Sequence, residues 1–183
     1  MNPAQTWVAL VHHPVYDKHR KIVATALTNL DLHDIARSSR TYGLAGFFIV
    51  HPVEAQRQLA ERIASHWREE GAAKNDFRRQ AIDRVRVVST LVEARKEIET
   101  ATGAVPYLIA TSAKNYEKSV DYNMSCEGPV LLILGTGYGL TDEVIATTDA
   151  MLKPVQGASD YNHLSVRSAC AIILDRLYGD RQD

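Results

Sequence analysis

Val130 to Leu140, VLLILGTGYGL, is the stretch on which the reading of this chain turns. Its uninterrupted apolar run has no polar face, so a strand made from it is covered on both sides, as in a parallel sheet with helices above and below. The run ends in Gly135, Gly137 and Gly139 on alternate positions, where missing Cβ atoms let the backbone turn tightly and let amide groups approach a small molecule. Thr141, Asp142 and Glu143 follow as an N-cap and acidic first turn of a helix. Strand, glycine turn and helix start together read as a binding loop. The same residues also allow a tight packing turn with no ligand.

Working outward, strands and helices alternate. Thr6 to His12 reads as a first strand that stops at His13-Pro14, and YDKHRK after it reads as a polar turn. From Asp31, as N-cap, Leu32, Ile35, Ala36 and Ser39 share one helical face up to Gly43, which leaves Asp34, Arg37 and Arg40 on a polar side. Gly46 to Val50 is a second buried strand. The next helix carries Val53, Leu59, Ala60, Ile63, Ala64 and Trp67 at helical spacing and ends at Gly71, its stripe reading as core or a partner-facing surface. Lys74 to Arg86 holds five basic residues and little apolar period, as a solvated short helix or as an RNA-facing edge. A strand over 85–89, a helix over 91–100, a buried strand over 107–110, a loop over 116–127, a helix over 142–148 and a strand over 151–155 complete the alternation. A last helix, 165–178, has Val166, Ala169, Cys170, Ile173 and Leu177 on its apolar face. The pattern is that of an α/β fold with a mainly parallel sheet and helices on both faces.

The length of 183 residues suits one domain over 1–183. A net charge of −1 gives no overall basic signal, so contact with RNA or DNA needs a local patch. Cys126 and Cys170 lie far apart in unlike contexts, which indicates neither a disulfide framework nor a zinc pattern and implies a reduced, cytoplasmic setting. No basic-then-apolar leader opens the chain, and no apolar run approaches the ~20 residues that span a bilayer, so no membrane partner is expected.

Thr111-Ser112, the turn from Gly135 to Leu140, and the loop over 157–165 follow three late strands. If these strands are neighbours, the loops converge at the carboxyl edge of the sheet. The glycine spacing is G-x-G-x-G, which meets neither the dinucleotide fingerprint nor a Walker A loop. Asp160, His163 and Ser165 fall within one short loop, where a hydrolase triad can seldom form. The seven histidines lack metal-ligand spacing, and no metal is expected.

These residues carry a resemblance. LGTGYGL at 134–140, followed by LKPVQGASDYNHLSVRSA at 152–169, is similar to the carboxyl-terminal half of the SPOUT, or α/β-knot, methyltransferases. DLHDIAR at 31–37 with Tyr42-Gly43 is similar to that family's first motif, an arginine on a helix followed by an aromatic-glycine pair. The motif order agrees across nearly the whole chain, and the match is to the predicted bacterial RNA methyltransferases of the superfamily. The resemblance implies a C-terminal trefoil knot, S-adenosylmethionine as cofactor, RNA (tRNA or rRNA) as substrate, and a homodimer with its site near the subunit interface.

Carried over residue by residue, the cofactor would meet Thr111, Leu134, Gly135, Gly137, Gly139, Leu140, Leu152, Pro154, Asn162, His163, Leu164 and Ser165, with Leu134, Leu140, Leu152 and Leu164 as apolar walls. Arg37 is the catalytic candidate for anchoring substrate phosphate, since a guanidinium is a poor base. Asp160 is the candidate general base. The ribose-methylating branch has asparagine where this chain has Asp31 and His163, and an acidic residue where it has Thr136-Gly137, so cofactor binding is better supported than a ribose 2′-hydroxyl acceptor. Two other readings compete: a non-catalytic RNA-binding protein with the same fold, and a nucleotide-binding enzyme using the glycine turn for phosphate.

Overall fold

A computed structural model describes residues 1–69, 76–117 and 119–180. After a short 3-10 turn, the order is β1 (Thr6–Val11), β2 (Val15–Tyr16), β3 (Ile22–Val23), α1 (Asn29–Thr41), β4 (Gly46–Val50), α2 (Glu54–Glu69), α3 (Asp76–Ile82) and β5 (Val85–Val88). Then come α4 (Leu91–Thr102), β6 (Tyr107–Ala110), β7 (Ser119–Val120), β8 (Val130–Gly135), α5 (Asp142–Ala146), β9 (Ala150–Leu152) and α6 (Val166–Tyr178). Seven strands form one sheet in the order β5-β4-β1-β8-β6-β9-β7, and every pairing in it is parallel.

The apolar run at Val130 does what its lack of a polar face requires. Val130, Leu132 and Leu134 enter the core beneath α1, α2, α3 and α6, while Leu131 and Ile133 enter the opposite core beneath α4 and α5. β1 alternates in the same way, with Val8 and Leu10 on one side and Ala9 and Val11 on the other. Helices thus cover both faces.

Several local expectations are corrected. Thr28, not Asp31, caps α1: its hydroxyl accepts from the Asp31 N–H at 3.1 Å and donates to the Asp31 carboxylate at 2.6 Å. This reciprocal pair starts the helix earlier than the apolar period suggests, because Leu30 in the first turn is 60% exposed and outside that period. The polar turn expected at YDKHRK is present, as the tip of the β2–β3 hairpin, where the Asp17 carboxylate accepts from the His19 and Lys21 N–H groups. The loop over 116–127 contributes the edge strand β7, and β9 ends at Leu152, ahead of Pro154, which has no N–H for a ladder. On α2 only Ala60 and Ala64 are buried; Val53 and Leu59 are exposed. The Gly71 terminator and Lys74 lie outside the described residues.

Candidate functional site at the carboxyl edge of the sheet

The strands β8, β6 and β9 are neighbours, so the loops after them do share an edge. Each glycine of the central turn answers a different constraint. A Cβ on Gly135 would lie 2.8 Å from the Leu140 nitrogen, so the turn folds back over its own start. Gly137, at φ +58°, has the Tyr16 carbonyl 2.9 Å from where its Cβ would be. Gly139, at φ +103°, has open space around that position. The close approaches at Gly135 and Gly137 are to the protein itself, and Gly139 alone leaves room for another molecule.

The turn is clamped by the first hairpin. Tyr138 N–H donates to the Tyr16 carbonyl, and Tyr16 N–H donates to the Gly139 carbonyl, both at 2.9 Å. Between β1 and β8 the chain departs to opposite sides of the sheet, the place where open α/β sheets leave a crevice. Here the hairpin fills it, and the free space moves toward β6. A shallow crevice of about 20 Å³ lies there, bordered by Thr111, Ser112, Tyr116, Tyr138, Gly139 and Leu140.

Behind the turn runs a directed hydrogen-bond chain. The Thr136 hydroxyl donates to the Val11 carbonyl at 3.1 Å, so the proton in the 2.5 Å contact between Thr25 and Thr136 comes from Thr25. His12 Nδ1, 3.0 Å from the Thr25 hydroxyl, is therefore the donor, and its Nε2 is a bare nitrogen, buried with no partner among the described residues. Burial, and then the charge of His51, pull the His12 imidazole down to about 4. His51 stacks on it at 5.2 Å, its Nδ1 accepting from Val53 N–H and its Nε2 donating to the Thr25 carbonyl. Burial also lowers His51. Two neutral imidazoles thus brace the edge.

The third loop touches the first through Asn162, whose amide donates to the Ala113 carbonyl at 2.9 Å. Asp160, His163 and Leu164 are exposed, His163 edge-on to Tyr161, and Ser165 caps α6 by accepting from the Ser168 N–H. Pro154 is buried. Of the four expected apolar walls, Leu134 and Leu152 lie in the core beneath α1 and α6, and Leu140, in the core on the other face, also borders the crevice.

Arg37 lies elsewhere. With Asp34, Arg62, Trp67 and Arg78 it borders an open groove of about 660 Å³ between α1, α2 and α3, which shares no residue with the crevice. Sequence reasoning passed over two features. One is the His12–Thr25–Thr136 chain, whose only signal was the paired histidines at strand ends. The other is Arg167 on α6, which pairs with buried Asp31 at 2.8 Å and with Asp34 at 3.4 Å and ties the last helix to the first. No group of three or more metal-ligating side chains occurs among the described residues, and no helix there is long and apolar enough to cross a membrane.

The parallel sheet with helices on both faces is an α/β fold that solved SpoU methyltransferases share. The chain superposes with a TM-score of 0.60 on the SpoU methyltransferase AviRb from Streptomyces viridochromogenes in complex with the cofactor AdoMet, at 14% identity over 97% of this chain and 58% of that one. By sequence it belongs to the SAM-dependent RNA methyltransferase family, whose model matches residues 5–179. It is 46% identical over 178 residues to a tRNA (guanine-N(1)-)-methyltransferase of Nitratidesulfovibrio vulgaris, across 95% of this chain and 42% of that protein. It is 41% identical over 179 residues to an uncharacterized protein of Aquifex aeolicus, across 94% of this chain and 87% of that one. The chain spans less than half the length of the tRNA (guanine-N(1)-)-methyltransferase it matches.

Proposed function

We propose that this chain binds S-adenosylmethionine at the carboxyl edge of β8, β6 and β9 and transfers its methyl group to an RNA, tRNA or rRNA, in the cytoplasm. The observation that carries the reading is the adjacency of these three strands, with the open position over Gly139 in a crevice shared with the first loop. The residues fit the cofactor. Polar groups of Thr111, Ser112 and the glycine turn face one crevice, and Tyr116 and Tyr138 flank it with aromatic surface. The crevice is too small for a nucleoside as it stands, since ligand sites run to ~300 Å³ or more. Entry therefore moves the segment 156–164, in which every residue but Asn162 is exposed. Loss of the Asn162–Ala113 bond is the least that this opening costs.

S-adenosylmethionine, when bound, supplies an electrophilic methyl group on a sulfonium. What the chain must do is hold donor and acceptor in line, exclude water and accept a proton where the acceptor carries one. The glycine turn, held by Tyr16, holds the donor. Gly135 and Gly137 keep that turn in shape, and Pro154, His163, Leu164 and Ser165 form the third side. Asp160, on the exposed third loop, takes the proton, and Arg37 anchors substrate phosphate. Since Arg37 and Gly139 face different spaces in one chain, the reading includes a homodimer in which α1 of one copy approaches the loops of the other. Threading of the last segment as a trefoil knot, and a single domain over 1–183, belong to the same reading.

The test is ligand-dependent stability followed by methyl incorporation. At 100 times its dissociation constant, S-adenosylmethionine should add about 2.7 kcal/mol to the unfolding free energy. Labelled methyl groups should then pass to RNA from a strain lacking the gene. Stabilisation by ATP or NAD, with none by S-adenosylmethionine or its demethylated product, overturns the proposal.

A further inference from the structure

The crevice at the carboxyl edge carries charge of both signs, and holding a methyl donor by the glycine turn makes no use of it. Arg20 from the tip of the β2–β3 hairpin, Lys114 from the loop after β6, and Asp142 at the start of α5 all border it. They are not equivalent. Arg20 donates to Asp142 Oδ2 at 2.8 Å and lies over the Tyr16 ring, 4.4 Å from its centre, so this cation and this carboxylate answer each other. The Lys114 ammonium is exposed and has no ion pair or hydrogen bond among the described residues.

The main chain that carries Lys114 is nonetheless fixed. The Thr111 N–H and hydroxyl both donate to the Ile133 carbonyl, at 3.0 and 3.2 Å, which ties the start of the loop to β8. The Ser112 hydroxyl then accepts from the Lys114 N–H at 3.0 Å. Neither anchor involves the segment 156–164, so both survive its opening. The backbone of Lys114 is thus set at the crevice, while its flexible aliphatic stem leaves the ammonium free to follow a ligand.

S-adenosylmethionine presents an adenine, a ribose, a sulfonium and an amino-acid end, and only the last carries an anion. We propose that Lys114 meets the carboxylate of that amino-acid end and makes the site specific for a donor that carries it. The inference rests on the reading of this edge as the cofactor site, and adds which end of the cofactor lies toward the loop after β6. A nucleotide phosphate is the other anion a lysine attracts. Here the same crevice holds Asp142, of whose oxygens Arg20 engages only Oδ2, and a phosphate chain of several negative charges is repelled by that carboxylate. An α-amino acid, with its carboxylate and ammonium on one carbon, meets both signs.

The experiment crosses a deletion in the protein with a deletion in the ligand. S-adenosylmethionine and its decarboxylated form, which keeps the adenine, ribose, sulfonium and amine, are titrated calorimetrically into the full chain and into Lys114→Gln at low salt. Lys114→Gln should bind S-adenosylmethionine at least about fivefold more weakly, or about 1 kcal/mol, and the decarboxylated form within about twofold of the unaltered chain. The demethylated product, which keeps the carboxylate, should lose affinity in parallel. Added salt should shrink the preference for the carboxylate, and Lys114→Arg should restore part of it. The melting temperature without ligand should not move, since Lys114 is exposed and unpaired among the described residues, and this separates a lost contact from a folding defect. Equal weakening of both sulfonium compounds, or of neither, overturns the inference and leaves the cofactor site standing. Binding of ATP in place of S-adenosylmethionine, lost in Lys114→Gln, gives the lysine to phosphate and overturns both. Binding of no sulfonium compound by the unaltered chain removes the cofactor reading, and the role of Lys114 with it.

Discussion

The carboxyl edge of the sheet and the groove between α1, α2 and α3 are built on opposite terms. At the edge, positive-φ glycines, backbone hydrogen bonds to Tyr16 and a chain of hydroxyls behind the turn fix the main chain, and only about 20 Å³ stays free. The groove is some 660 Å³ in volume, walled by side chains on three helices, with long flexible cations at its rim. A surface made from backbone is rigid and selects a small ligand by shape. A surface made from arginine side chains adapts, and holds a charged polymer by sign. The proposed division of labour, donor at the edge and acceptor at the groove, rests on that contrast.

The strongest way to break the edge is at its tightest point. Gly137→Val brings together two penalties, a β-branched residue at φ +58° and a Cβ some 2.9 Å from the Tyr16 carbonyl, and should cost about 3 kcal/mol or more in urea unfolding. S-adenosylmethionine should no longer stabilise the variant. Gly139→Ala bears only the backbone penalty, about 1–2 kcal/mol, because nothing lies near its Cβ. Equal stability of Gly137→Val and the unaltered chain would show that the hairpin does not clamp the turn.

Acid attacks the edge through His12 and also reaches the groove, where burial holds the His33 imidazole below its ordinary value. The folded state holds His12 at about 4, against 6.5 when exposed, so between these values the unfolded chain binds the extra proton. Stability is therefore full above pH 6.5 and is lost as pH falls toward 4, by up to about 3 kcal/mol at 1.36 kcal/mol per unit. Replacing His12 with leucine removes the titrating group and should flatten the profile in that window, although it also forfeits the bond to Thr25 and lowers the plateau. An unaltered slope in the leucine variant would assign the acid lability to other groups.

How far the sequence carried depends on whether a feature is local. Apolar runs such as Val130 to Leu134 identify strands buried on both faces because that pattern is set by the residues themselves, and the glycine turn is legible because three glycines stand together. The hairpin that fills the switch point was hidden, since Val15-Tyr16 and Ile22-Val23 are too short to show a period and their pairing is set by Asp17 between them. The sequence did not show which helix layer each leucine beside the loop would meet: Leu134 and Leu152 enter the core beneath α1 and α6, and Leu140 enters the opposite core while bordering the crevice. Arg167 was invisible for a different reason. Its partners Asp31 and Asp34 lie in α1, at the far end of the chain, and only the packing of α6 on α1 brings them together.

The smallest expected effect tests the contrast itself, because it should separate the two surfaces without unfolding either. Arg37 is exposed on α1 and makes no ion pair among the described residues. Asp34, its neighbour one turn back, is engaged by Arg167, so a local Arg37–Asp34 pair is not what holds it. Removal of its guanidinium should therefore leave stability within the usual ±0.5 kcal/mol of surface substitutions. It should also leave the S-adenosylmethionine shift intact, since the glycine turn does not border the groove. If Arg37 anchors acceptor phosphate, Arg37→Ala should slow methyl incorporation into RNA by at least about tenfold, or about 1.4 kcal/mol of transition-state stabilisation. Arg37→Lys should restore part of that rate if a point charge suffices, and little if two parallel hydrogen bonds are needed. Full activity in the alanine variant would detach α1 from the acceptor.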